Sequence, residues 1–277
     1  MILHAQAIII YILYCIRLWA NPWMFFQINN EWFNEKKGFF SKMEMNQLLP
    51  KKWQLKTYKI EDIDLDNFNL EFPVFLKPEY GHRSYGVYIV KNKTQLKDCI
   101  KEIRGLYIPY IVQGASKYNE EYEITFINNT QAKSSIVYSI SEAINKNQQK
   151  YIIHSTKNGT QYVEHISDLK NSDIKKIESH ISRIPSRVGR ISLKSNSIQD
   201  IINGDFEIFE INLFLASPLY IQDKEISFTE KCRFMLNYTK DIAKLTKTLR
   251  HKKYKHIFWN TLKRYYLIKH TPLTLGK

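Results

Sequence analysis

The spacing of apolar and polar residues changes several times along the chain, and each change marks an expected element. Residues 7–16 form an unbroken apolar run, extended by Trp19, Trp23, Met24, Phe25 and Phe26 and interrupted by Arg17 and Asn21. Val74-Phe75-Leu76 and Val87-Tyr88-Ile89-Val90 are short apolar stretches of strand type, joined by a segment bounded by Gly81 and Gly86. The period then becomes helical over 93–105, with Leu96, Ile100 and Ile103 on one face and Thr94 as a candidate cap. Strands are expected near 108–113, 122–127, 135–141 and 151–155. A helix over 172–184 carries Ile174, Ile177 and Ile181 on one face and stops before Pro185. Strands at 189–193 and 206–213 follow, separated by the turn Asn203-Gly204-Asp205, and a last core helix is expected over 229–249. The pattern is that of an α+β protein with alternating lobes.

Composition sets the outer limits. With 277 residues and 44% apolar content, the chain can bury a sizeable core in one large domain or two intimate lobes. Cys15, Cys99 and Cys232 are scattered and odd in number, so neither a disulfide framework nor a zinc site is suggested, and a reducing compartment fits.

Charge is unevenly spread over the formal +14. From Ile242 onward there are ten Lys or Arg residues and no acidic one. Over 249–270 those bases interleave with aromatics, and Phe258, Leu262, Tyr265 and Tyr266 form an apolar stripe on a helix. That pattern reads as an interfacial membrane helix on an anionic surface. Nucleic acid is the rival reading of such a basic aromatic patch, and a core-packed terminal helix is the plain one. The N-terminal run is shorter than the roughly 18–20 residues of a spanning helix, and a signal peptide is disfavoured because no basic residue precedes the run. An interfacial or protein-packed helix is expected there, in a cytoplasmic protein peripheral to the membrane.

The candidate chemistry lies in two distant segments. Phe72-Pro-Val-Phe-Leu-Lys77 places a lysine just ahead of the loop from Gly81 to Gly86, which includes His82, Arg83 and Ser84. The glycines have P-loop spacing, yet Val87-Tyr88 stands where Lys-Ser or Lys-Thr is required, and the loop joins two strands. A hairpin of this kind can hold phosphates with backbone N–H groups, as backbone nests do for anions. Lys77 lies on a strand that reads as buried, where an unpaired ammonium is costly and a phosphate partner resolves the cost. In the second segment, Phe206-Glu-Ile-Phe-Glu-Ile-Asn212, the residues Glu210 and Asn212 are two apart, so their hard oxygens share a strand face and suit magnesium. Glu207 is one parity off and is expected to face solvent.

In this order the segments resemble the ATP-grasp superfamily, in which a glycine-rich hairpin closes over ATP held between two α+β lobes. Ile108-Pro-Tyr-Ile-Val-Gln113 is similar to the strand entering the adenine-reading hinge, and Glu121-Tyr-Glu-Ile-Thr-Phe126 to the strand that offers a carboxylate to ribose. Gly189-Arg-Ile-Ser-Leu193 is similar to the Gly-Arg-x-Asp strand and Glu210-Ile-Asn212 to the Glu-x-Asn metal strand. Asn21-Pro22, Ser41-Lys42, Leu49-Pro50 and Asp223 further resemble a bacterial branch related to D-alanine:D-alanine ligase.

The resemblance implies an apolar N-terminal segment over 1–40, an ATP-grasp domain over 41–248 with a smaller lobe near 73–113 and a C-terminal lobe near 114–248, and a basic aromatic tail over 249–277. It also implies ATP and Mg²⁺ as cofactors and ligation of a small carboxylate to an amine through an acyl-phosphate. Lys77 and Arg190 then act on the transferring phosphoryl group, and Glu210 and Asn212 hold the metal. Lys42 is either a second phosphate lysine or a solvated helix-start residue. Gln113 either reads adenine or is an ordinary strand-end amide, and Glu123 or Glu121 meets the ribose.

Two departures weaken the catalytic reading. Ser192 stands where a third metal ligand is expected, and Ser217-Pro218 where a Glu-Pro usually follows. Asp205 or Asp223 could fill the gap. A nucleotide-binding protein without chemistry, associated with the membrane, is the alternative, and a sugar- or peptide-modifying kinase is a further one.

Overall fold

A computed structural model describes residues 2–81, 85–104, 106, 108–129, 134–145, 159–214, 217–249 and 254–270. The strand expected at 151–155 and the loop residues His82, Arg83 and Ser84 lie outside the described residues.

The N-terminal apolar run folds as α1 (Ile2–Leu18), followed by a 3₁₀ segment, Pro22–Gln27, whose first turn is capped by the Asn21 side chain accepting from the Trp23 N–H. A short helix α2 (Lys42–Gln47) is capped by Ser41 and leads through β1 (Thr57–Lys59) into the smaller sheet. That sheet continues with β2 (Val74–Pro78) and β3 (Tyr88–Val90). After the crossing helix α3 (Lys93–Ile103) it ends with β4 (Tyr110–Gly114). The order is β1-β4-β2-β3, antiparallel throughout. Leu96, Ile100 and Ile103 of α3 meet Val74, Leu76, Val90 and Val112 in one core, as their spacing predicts. The cap of α3 is Asn92 rather than Thr94: its Oδ1 accepts from the Gln95 N–H at 2.9 Å.

The larger sheet comprises β5 (Glu120–Asn129), β6 (Ser134–Ile144), β7 (Gln161–Glu164), β8 (Val188–Ser195) and β9 (Glu207–Asn212) in the order β7-β6-β5-β8-β9. Helices α4 (Asn171–Ile181) and α5 (Ile198–Asn203) cover one face. There Ile177, Ile181, Ile201 and Ile202 pack on Ile124, Phe126, Ile140, Ile191, Leu193 and Phe206. Trp53 reaches the same core, stacks on Phe206 at 4.7 Å and donates its indole N–H to Gly204 O. Gly204 sits at φ +83°, where it ends α5 in the left-handed conformation that glycine adopts without cost. Along β5 the buried apolar residues Tyr122, Ile124 and Phe126 alternate with Glu121, Glu123 and Thr125, so the opposite face is polar and looks into a cleft beneath the smaller sheet.

The last core helix, α6 (Phe228–Thr248), begins with a capping box between Ser227 and Glu230. α1 lies along it, burying Tyr11 and Cys15 against Tyr238, Ile242 and Ala243. Its other face leaves Ile8, Ile9, Leu13 and Ile16 about 60% exposed. Among the described residues, no helix is long and apolar enough to cross a membrane.

The basic tail forms α7 (Ile257–His270), and it packs against the protein. Ile257 and Ile268 are buried, Phe258 packs on Trp23 and Phe26, and the Arg264 guanidinium lies over Phe39 and Tyr80 while donating to Lys37 O at 2.9 Å. The expected stripe is therefore split, with Leu262 and Tyr266 exposed. The spacing 257, 264, 268 forms the packed face instead, a helical period the aromatic residues obscure.

Candidate functional site

Strand register builds the polar face in rows. Glu123, Ser192 and Glu210 stand side by side across β5, β8 and β9, flanked by the row Thr125, Arg190 and Asn212 and by the row Glu121, Lys194 and Glu207. The register of β9 shifts by one residue between Glu210 and Ile208, at Phe209. That bulge brings Glu207 onto the face of Glu210, against the parity expectation. Glu207 is not simply solvated: its Oε2 accepts from Ser116 Oγ at 2.7 Å and from the Lys117 N–H.

The smaller sheet supplies two ammonium groups. Lys77, on β2, is buried, and its Nζ donates at 2.8 Å to Gln113 Oε1 and at 2.8 Å to the carbonyl of Phe209, the bulged residue. Burial and the neighbouring Lys42 charge lower its pKa to about 7, with Glu210 pulling the other way. Lys42, the first residue of α2, lies 3.1 Å from Glu210 Oε1. Burial alone would raise the Glu210 carboxyl, but Lys42 and Lys77 outweigh it and hold it below the usual range. Gln113 spends its amide as a brace, accepting from Lys77 and donating to Thr57 Oγ1 at 3.1 Å.

The remaining acids of the face are pushed the opposite way. Burial raises Glu123, against the lowering by Arg190, whose Nε is 2.9 Å away, and by Ser192, whose Oγ donates to Glu123 at 2.8 Å. Burial also raises Glu121, which Lys194 approaches only to 3.8 Å. Arg190 additionally donates to Ser217 O at 2.8 Å. The site thus holds a carboxylate biased toward ionisation beside two lysines, and two carboxyls biased toward protonation.

Lys42, Lys77, Gln113, Glu123, Arg190, Glu210 and Asn212, all singled out from the sequence, line a single cavity of about 1120 Å³. Glu121, Tyr162, Ser192 and Lys194 line it too. Tyr162 and Lys194 carry no motif, and only the strand register reveals them. Gly81 and Gly86 flank the loop at φ +114° and +71°, and a Cβ on Gly86 would lie 2.7 Å from the Tyr110 hydroxyl and 3.0 Å from Pro78. Both positions therefore require glycine. Tyr85 and Val87 between and beyond them reach the cavity wall. Neither Asp205 nor Asp223 does. Asp223 is taken up by the backbone N–H groups of Glu164 and Glu225, and Asp205 is exposed. The acid nearest the Ser192 position is Glu123.

The donor set suits a nucleotide. A desolvated lysine whose hydrogen bonds go to neutral acceptors, with a second lysine nearby, is a site for phosphate oxygens. Among the described residues no group of three or more His, Cys, Asp or Glu is arranged to hold a metal ion. Glu210 and Asn212 nevertheless offer two hard oxygens, which is what Mg²⁺ takes from a protein when phosphates and water complete its shell.

No protein-family model matches the sequence, and no curated protein is similar to it. Solved structures do resemble the fold. An L-amino acid ligase from Bacillus licheniformis has 14% identity and a TM-score of 0.45 over 76% of this chain and 48% of that one. A D-Ala:D-Ser ligase from Enterococcus faecalis has 16% identity and a TM-score of 0.46 over 72% and 61%. A D-alanine–D-alanine ligase from Bacillus anthracis, complexed with ATP, has 15% identity and a TM-score of 0.44 over 74% and 67%. The chain matches about half to two-thirds of their length. Likenesses this distant carry neither substrate nor reaction across to it.

Proposed function

We propose that the cleft binds ATP with Mg²⁺ and ligates a carboxylate to an amine through an acyl-phosphate. The observation that carries this reading is the buried Lys77 ammonium facing Glu210 and Asn212 from the opposite sheet, with Lys42 bridging to Glu210. Lys77 and Lys42 bind phosphate oxygens, and Gln113 orients Lys77 by accepting a hydrogen bond from its Nζ. Arg190, fixed at Ser217 O and Glu123, lies in the row of Asn212 and neutralises charge that develops on the transferring phosphoryl group. Mg²⁺ on Glu210 and Asn212 would supply further neutralisation of phosphate charge.

A second reading, a nucleotide-binding protein without chemistry, is supported by Ser192, which offers a neutral hydroxyl in place of a carboxylate and turns it toward Glu123. The exposed apolar row of α1 and the basic tail support association with an anionic membrane surface.

ADP release measured across a panel of amino acids, dipeptides and hydroxy acids tests the catalytic reading. Stimulation by one of them, lost in Glu210→Gln while the fold persists, is expected. Equal background rates in both proteins across the panel would leave binding without catalysis.

A further inference from the structure

The charged cluster occupies only one end of the cavity. The same cavity runs on between α1 and α6, where Tyr11, Phe25, Phe26, Met235, Tyr238 and Ile242 form its wall. At about 1120 Å³ it exceeds the range of about 300–1,000 Å³ typical of single small-molecule sites. Two residues join it to the outside. Ile8 and Ile12 line the cavity and also belong to the exposed apolar row of α1, with Ile8 62% exposed. The apolar end therefore reaches the surface beside Ile9, Leu13, Ile16 and Trp19, all exposed.

Resting on the ligase reading of the polar end, we propose that one of the two joined substrates is an amphiphile. Its polar head, carrying the reacting carboxylate or amine, lies at the Lys77 and Glu210 face, and its long apolar chain lies between α1 and α6. Three features favour a chain over a compact apolar group. The apolar walls are continuous with the charged rows, so head and tail share one space. Ile8 and Ile12 belong at once to the cavity wall and to the exposed apolar strip, so a chain can pass from that strip to the apolar end. Aromatic and aliphatic walls without a charged partner at that end recognise methylene groups and little else.

N-acylglycines of increasing chain length, kept below their micelle concentrations, serve as probes in calorimetry with ADP and Mg²⁺ present. Each buried CH₂ should tighten binding by up to about fourfold, so lauroylglycine should bind at least tenfold more tightly than acetylglycine. Ile8→Glu and Ile12→Glu, which put a charge in the wall, should abolish that gain. Leu13→Glu and Ile16→Glu, on the same exposed strip but outside the cavity, should keep it. A thermal melt verifies that each variant folds. No dependence on chain length, or equal loss in all four variants, would overturn the proposal; the latter result would mean adsorption to the helix surface. ATP affinity is measured on the same samples. Normal ATP binding without a chain-length effect removes only the amphiphile, whereas absent ATP binding removes the nucleotide reading beneath it.

Discussion

ATP binding to this cleft should take up a proton above neutral pH, because the group that meets the phosphates is a lysine held largely neutral in the free protein. Burial and the Lys42 charge bring Lys77 to about 7. At pH 8, one unit higher, roughly nine-tenths of the Lys77 side chains are uncharged. Phosphate oxygens at Nζ favour the charged form, so binding recovers close to one proton, about 0.9 at pH 8. By the same linkage, affinity should fall about fivefold between pH 7 and pH 8, since the fraction already protonated drops from about a half to about a tenth. For folding, the sign follows from a native pKa below the unfolded lysine value of about 10.4. Charging Lys77 opposes folding, so its contribution to stability declines as pH falls from about 10 to about 7 and is constant below that. Calorimetry at pH 8 in two buffers of different ionisation enthalpy counts the proton directly. Lys77→Arg should remove the buffer dependence, because a guanidinium stays charged throughout. Equal binding enthalpies in both buffers for the wild type would refute the reasoning.

Ser192→Asp places a third carboxylate between Glu123 and Glu210, so the variant should melt lower than wild type without Mg²⁺ and regain stability with it; a melt insensitive to Mg²⁺ would mean that the row holds no metal. Exposed Lys263 and Lys269 on α7 should each add about 1 kcal/mol to binding of anionic vesicles. Sedimentation with the double variant Lys263→Glu, Lys269→Glu should show association weaker by about thirtyfold or more, and tighter binding of single-stranded RNA than of vesicles at equal salt would favour nucleic acid instead.

Most strands and helices could be read from the sequence because apolar period and glycine placement are local signals. The β2 and β3 strands with positive-φ glycines in the loop between them, α3 with its three-residue face, and the strands β8 and β9 all carry such signals. β1, β7 and α5 did not register, each having only three to six residues and no motif to mark it. The site was legible as a set of residues but not as a geometry. Nothing local announces the bulge at Phe209, which sets Glu207 on the strand face of Glu210 and presents the Phe209 carbonyl to Lys77. Nor does any motif show that the Gln113 amide is consumed by Lys77 and Thr57, or that Glu123 is bound to Arg190 and Ser192. The terminal helices illustrate the same limit. The apolar run of α1 could be read but not its partner α6, and for α7 neither the packed face 257, 264, 268 nor its contact with the smaller sheet was evident, since both depend on residues distant in sequence.

The central claim is that Lys77 makes this cleft a nucleotide site, and calorimetric titration of Lys77→Ala with ATP and Mg²⁺ tests it most directly. A charge-assisted contact to phosphate contributes roughly 1.5–3 kcal/mol. Binding by the wild type and at least tenfold weaker binding by the variant, with both proteins folded, is the expected result; equal affinity in the two proteins would contradict it.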